Sequence, residues 1–313
     1  MAKYRDRLPQ LAGKLFLTDG GLETTLIFHE GLELPCFAAF DLLKDAAGLA
    51  ILNQYFRRYI EIAQKSGLGF ILESATWRAS ADWGAKLGYP EAELGDLNRR
   101  AIAMLHDLRH EFESPATPMV ISGCIGPRGD GYNPACFMSD AEAEVYHRAQ
   151  ARIFCDADAD MISAFTLTYP QEAIGIVRAA QAVGMPVAIS FTVETDGRLP
   201  NGQALRDAIA QVDAATGNGP AYYMINCAHP VHFTNLLDGG ASWHTRIRGL
   251  RANSSTKSHK ELDEATSLDA GDPVDLAERY RALMARLPSL NVVGGCCGTD
   301  HRHVAAICQA LRS

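Results

Sequence analysis

The sequence contains no apolar run approaching the roughly 20 residues that a membrane-spanning helix requires. Bases are in deficit: 29 Lys and Arg stand against 37 Asp and Glu, a formal net charge of −8. A chain of that sign is poorly suited to nucleic acid or to an anionic membrane surface. Low-complexity linkers are missing, and so are nucleotide-fold signatures, with no GxGxxG after the first strand candidate and no P-loop pattern. The opening stretch, MAKYRDRLPQ, is charged and unlike a signal peptide, so the expected location is the cytoplasm.

What is present is a globular balance, 47% hydrophobic and 21% charged over 313 residues. Eight short, mostly continuous apolar runs read as strands buried on both faces: Leu15–Gly21, Gly69–Ala75, Pro118–Gly126, Asp160–Leu167, Pro186–Val193, Ala221–Ala228, Arg246–Asn253 and Asn291–Cys297. Amphipathic stretches alternate with them at Gly48–Ser66, Glu91–Phe112, Asp140–Asp156, Gln171–Val183, Gln203–Ala215 and Pro273–Leu287, and His301–Leu311 follows Asp300 as a helix cap. Eight β–α units in series predict an α/β protein with one domain over residues 1–313, a single (β/α)8 TIM-type barrel.

Eight cysteines in a reducing compartment are not expected to form a disulfide framework. Cys36, Cys124, Cys136, Cys155 and Cys308 stand singly and read as small hydrophobes. Cys296 and Cys297 are adjacent within GGCCGT at the end of strand eight, and Cys227 closes strand six in INCAHP. Barrel enzymes keep their chemistry at the carboxyl ends of strands, so these three thiols are expected to converge although about 70 residues separate them. Three soft ligands with a fourth position open suit catalytic zinc. His229, two residues beyond Cys227, is the rival fourth ligand.

The pieces TDGGLETTL, ESATWRAS, GCIGP, ISFTVETDGRLPNGQAL, INCAHP and GGCCGTDHRHV, in that order and spanning nearly the whole chain, resemble the homocysteine S-methyltransferase family. The resemblance implies a (β/α)8 barrel, Zn2+ held by Cys227, Cys296 and Cys297, and methyl transfer to homocysteine to give methionine. It further implies that Asp19, Gly20, Gly21 and Ser74 contact the acceptor's amino-acid end, with Asn226 also a substrate-binding residue. Members often carry Glu-Thr at the end of strand four, where this chain has Phe165-Thr166. Glu73, at the end of strand two, is the expected substitute; a similar glutamate occurs in the cobalamin-dependent methionine synthase branch.

Trp77 falls where the family places aromatic donor-site residues and offers a π face to a methylated cation, whereas neighbouring Arg78 opposes a purely cationic donor. The expected partners are a small thiol and a methyl donor, with self-association open and neither nucleic acid nor membrane involved. Alternatives are a methyltransferase for another thiol, a zinc hydrolase, which would call for histidine and carboxylate ligands, or a non-catalytic or redox-sensing zinc protein, which would call for a closed four-ligand site.

Overall fold

The computed structural model describes residues 1–132, 137–238 and 241–312, so Cys136 lies outside the described residues. Along the chain it runs β1 (Phe16–Leu17), α1 (Leu22–Phe28), α2 (Ala46–Ser66), β2 (Gly69–Glu73), α3 (Ala81–Lys86), α4 (Glu91–Phe112) and β3 (Met119–Ile125). There follow α5 (Asp140–Asp156), β4 (Met161–Leu167), α6 (Pro170–Ala182), β5 (Val187–Phe191), α7 (Leu205–Thr216) and β6 (Tyr222–Asn226). The last elements are β7 (Ile247–Ala252), α8 (His259–Asp263), α9 (Pro273–Met284), β8 (Val292–Gly295) and α10 (His301–Arg312).

The strands pair in parallel and in sequence order, and β1 closes the sheet on β8 through Phe16 opposite Val292 and Leu17 opposite Val293. All eight sequence-predicted strands are present inside their expected ranges, and the (β/α)8 barrel stands. The β6–β7 connection holds three 3-10 turns, Pro230–His232, Thr234–Leu237 and Ser242–Arg246, and no α-helix among the described residues. The run HPVHFTNLLDGG explains this, because Pro, Asn, Asp and paired glycines interrupt helical periodicity. No helix among the described residues is long and apolar enough to cross a membrane.

Strand alternation builds two cores. Phe70, Leu72, Ile121, Ile162, Ile189, Tyr223, Ile225 and Leu250 face the helices. Phe16, Ile71, Val120, Met161, Ala188, Tyr222 and Val292 fill the barrel's interior. Further along the same inward faces, toward the strands' carboxyl ends, the side chains turn polar: Glu73, Ser122, Ser163, Ser190, Asn226 and Arg251, all buried. An apolar floor therefore carries a polar upper layer, and polar groups buried there must find partners among themselves.

A candidate metal centre at the barrel mouth

Above that layer opens a cavity of about 470 Å3, and all ten residues singled out in the sequence line it. Cys227, Cys296 and Cys297 present sulfurs that lie within 4.8 Å of one another, and they form the one such cluster of metal-ligating side chains among the described residues. The Cys227 and Cys297 sulfurs are 3.7 Å apart.

Local backbone explains the convergence. Cys227 adopts φ 53, the left-handed region, which turns its side chain back from β6 toward β8. After β8, the Thr299 amide and hydroxyl both donate to the Cys296 carbonyl, at 3.1 and 2.7 Å, closing a tight turn that needs Gly298 at φ 80. Gly21 permits the other side of the approach: a Cβ there would sit 2.5 Å from the Cys296 carbonyl oxygen.

Three sulfurs this close do not ionise independently. The S–H groups of Cys296 and Cys297, together with the Tyr132 hydroxyl, hold the Cys227 thiol well below its usual pKa. The neighbouring Cys227 sulfur in turn pushes Cys296 up to about 12 and also raises Cys297. Without a metal, Cys227 is therefore the most acidic of the three thiols. His229 stays outside the cluster: buried, its Nδ1 accepts from the Val231 amide at 3.3 Å and caps the turn after it. Burial, aided by Arg279, lowers its pKa to about 4, so the ring is neutral.

The remaining residues divide into supports and free groups. Asp19 is taken up by Arg251 (2.8 Å) and by the Tyr55 hydroxyl (2.9 Å). The Gly20 carbonyl accepts from the same two side chains. Ser74 accepts from the Cys124 amide at 2.8 Å and bonds Thr76, so its hydroxyl braces strand ends. Asn226 clamps β4, accepting from the Thr166 amide (2.9 Å) and donating to the Thr166 hydroxyl (2.8 Å), and its amide group lies 3.9 Å from the Cys296 sulfur. Thr166 needs that clamp because it sits at φ 62, in a register shift of β4.

Glu73 is different. One carboxylate oxygen accepts from Ser163 at 3.0 Å, while the other is buried without a hydrogen-bond partner. Burial pushes its pKa up to about 7, against the pull of Arg251. Trp77 donates to the Phe165 carbonyl at 3.4 Å. The Arg78 guanidinium lies over the rings of both Trp77 (4.9 Å) and Trp83 (3.9 Å), so a cation of this chain already covers one face of Trp77.

Four lining or bracing residues were not singled out in the sequence. Arg251 had a signal, a lone arginine inside the apolar strand run RIRGLRAN. Glu23 lies on α1 in the cavity wall, and burial, with Cys296 and Asp19 nearby, raises its pKa to about 7. Tyr132 and His259 come from loop and short-helix segments that carry no periodic signal.

The geometry carries a redox consequence. In metal-free protein, mild peroxide is expected to join Cys227 to Cys297, the two thiols losing two hydrogens to peroxide and giving water. The sulfurs need close only from 3.7 Å to a bond of about 2.05 Å. Metal-binding capacity should vanish and return with a dithiol reductant. Peptide mapping that finds only free thiols in protein that no longer binds metal would sink this pairing.

Comparison with known proteins identifies a family. The sequence profile described as homocysteine S-methyltransferase matches residues 16–311. Homocysteine S-methyltransferase 4 of Zea mays is 24% identical over 327 residues, covering 96% of this chain and 90% of that protein. Methionine synthase of Mycobacterium leprae (strain TN) is 25% identical over 334 residues, and the match spans 98% of this chain but only 25% of that protein. Among solved structures, the metallated form of the homocysteine methyltransferase MmuM from Escherichia coli superposes with a TM-score of 0.72 at 20% identity, covering 96% of both chains. That likeness shares the fold. The family profile covers almost the entire chain, and the protein belongs to the homocysteine S-methyltransferase family.

Proposed function

We propose that this protein transfers a methyl group from a small onium donor to the thiol of homocysteine, giving methionine, with Zn2+ held by Cys227, Cys296 and Cys297. The observation that carries the reading is three thiols converging on one point beside an acid-lined cavity at the barrel's carboxyl-end mouth. The donor set fits the metal. Zinc–sulfur bonds near 2.3 Å in a tetrahedron put ligand sulfurs about 3.8 Å apart, and Cys227 and Cys297 stand at 3.7 Å. Bound there, zinc supplies a site that lowers an incoming thiol's pKa and keeps its sulfur nucleophilic.

The chain's own residues do the rest. Arg251 locks Asp19, Gly20 and Gly295 together, so the ends of β1, β7 and β8 hold one arrangement under the cavity. Asp19, Glu23, Glu73 and the sulfurs outweigh Arg78 and Arg251 among the lining charges, which favours a cationic donor and an acceptor bearing an ammonium. In the transfer, the acceptor sulfur forms a bond to the methyl carbon. The donor's carbon–sulfur or carbon–nitrogen bond breaks, and a neutral sulfide or tertiary amine leaves.

Reduced, zinc-loaded protein should convert homocysteine to methionine with at least one sulfonium or quaternary ammonium donor, read by mass. A panel in which no donor methylates homocysteine, while another thiol is methylated, would transfer the reading to that thiol. Turnover of no thiol at all would end it.

Glu73 stands in for the glutamate missing at Phe165 and anchors the acceptor's ammonium through its unpartnered oxygen. A charge-assisted hydrogen bond of about 1.5–3 kcal/mol corresponds to a rise in acceptor KM of roughly tenfold to a hundredfold in Glu73→Gln. Because that contact is similar in ground and transition states, kcat should change less, and metal content should not change. The sign of the pH effect follows from the raised pKa. Below about 7 the carboxyl is neutral and binds an ammonium poorly; above it the carboxylate forms, so acceptor affinity should rise through pH 7. A KM and pH profile unchanged in Glu73→Gln would move this role to Glu23, which titrates in the same range.

A further inference from the structure

The segment ISFTVETDGRLPNGQAL serves neither the acceptor nor the donor in the reading above, yet its first part reaches the metal centre. Thr192 and Glu194 follow β5, and both contact His259, the first residue of α8, which is anchored by a Ser258–Glu261 capping box. His259 is 5% exposed. Its Nε2 donates to the Cys227 carbonyl at 2.7 Å, and the Thr192 hydroxyl donates to the same oxygen at 3.3 Å. On the far side of the ring, Nδ1 faces the Glu194 carboxylate at 3.0 Å. The Cys227 amide is held as well, donating to the Arg251 carbonyl at 3.1 Å. Cys227 thus keeps a conformation that non-glycine residues seldom adopt, φ 53, because its peptide groups are pinned on both sides.

The same imidazole reaches the sulfurs by a second route. It stacks on the Tyr132 ring with centroids 4.2 Å apart and planes 6° from parallel. The Tyr132 hydroxyl in turn lies 3.5 Å from the Cys227 sulfur and 3.4 Å from the Cys297 sulfur.

We propose that His259, oriented by Glu194, is a positioning residue for the metal centre: it holds the left-handed Cys227 backbone that aims one sulfur at the other two, and it seats the Tyr132 phenol against the pair. His259 does not touch the sulfurs and ligates nothing. The inference rests on the metal reading above and adds to it the support that makes three separately contributed thiols a preformed site. Hydrogen-bonded partners behind metal ligands commonly govern affinity in this way.

The test measures zinc affinity of the full-length reduced protein by chelator competition, and the absorption of its cobalt(II)-substituted form. His259→Ala should weaken zinc binding by about tenfold to a hundredfold, the range for loss of such a support. It should also shift the thiolate-to-cobalt charge-transfer bands. His259→Gln places an amide N–H where Nε2 stood and should recover most of the affinity and the spectrum. His259→Phe keeps a ring on Tyr132 without a donor and should recover neither. Glu194, whose side chain is 34% exposed, tolerates replacement, and Glu194→Gln should weaken zinc binding by less than His259→Ala does.

Wild-type zinc affinity and cobalt spectrum in folded His259→Ala would overturn the proposal and leave His259 a helix anchor. Should that variant not fold, unchanged affinity and spectrum in Glu194→Gln would overturn it instead. Absence of zinc binding by the wild-type protein would remove the metal reading itself, an outcome distinct from intact wild-type binding with indifferent variants.

Discussion

Cys297→Ser is expected to reduce bound zinc from about one per chain to near none and to lower methyl transfer at least a hundredfold. Loss of an outer support around a metal commonly costs about tenfold to a hundredfold, and removing a ligand itself should cost more. A hydroxyl does not replace the sulfur, since serine is not appreciably ionised at neutral pH and is a harder donor. Cys227 and Cys296 would remain as two ligands from different strands, too few for the tetrahedral site. The fold should survive. Cys297 sits beyond the end of β8 in a turn whose backbone bonds, Ser254 amide to Cys297 carbonyl and Thr299 amide to Cys296 carbonyl, do not use the side chain. Elemental analysis and circular dichroism decide it, and unchanged zinc content in a folded variant would dismantle the ligand assignment.

Arg251→Met should destabilise the protein by about 3–5 kcal/mol, the usual cost of removing one member of a buried ion pair. The wild-type guanidinium, only 9% exposed, meets the 4%-exposed Asp19 carboxylate at 2.8 Å and donates to the Gly20 and Gly295 carbonyls at 3.0 Å each. Methionine fills similar volume but leaves a buried carboxylate with only the Tyr55 hydroxyl and strips both carbonyls of their donor. Adding Asp19→Asn removes the stranded charge, so the double variant should lose less than the sum of the singles by at least about 1 kcal/mol. Urea unfolding at fixed zinc and reductant is the measurement, because bound metal adds to apparent stability. A single-variant loss below about 1 kcal/mol would show that water or rearrangement satisfies Asp19 without its arginine.

Zinc content should fall in Cys297→Ser and persist in folded Arg251→Met. Cys297→Ser removes a ligand and leaves the barrel's polar layer whole. Arg251→Met removes the tie between β1, β7 and β8 and leaves every ligand in place. On the proposed reading the site separates into sulfurs that would hold the metal and a buried charged layer that ties the strand ends together.

Much of this was legible in the sequence. Parallel strands covered on both faces leave unbroken apolar runs, so the positions of all eight followed from hydrophobicity alone. The cysteines were legible for a related reason: once strands six and eight are placed, the barrel rule puts Cys227, Cys296 and Cys297 on one face. The helices α1, α3 and α8, of 7, 6 and 5 residues, were not legible, being too short to display a period. The lack of a helix between β6 and β7 was legible, since the run HPVHFTNLLDGG interrupts helical periodicity.

What only the tertiary structure decided depends on closure of β1 upon β8. Closure sets Asp19 against Arg251, 232 residues apart in sequence, which gives the DGG loop at the cavity wall a buried brace. It leaves Glu73 with one oxygen unpartnered and a pKa near 7, because desolvation exists only once the mouth is built. The tertiary structure also brings the Tyr132 hydroxyl to the sulfurs of Cys227 and Cys297, 95 and 165 residues further along the chain, and stacks His259 on its ring. Local patterning specifies which segments are strands and which residues can bind a metal. Burial, ion pairing and hydrogen bonds across the barrel mouth arise from strands distant in sequence, and no window along the chain records them.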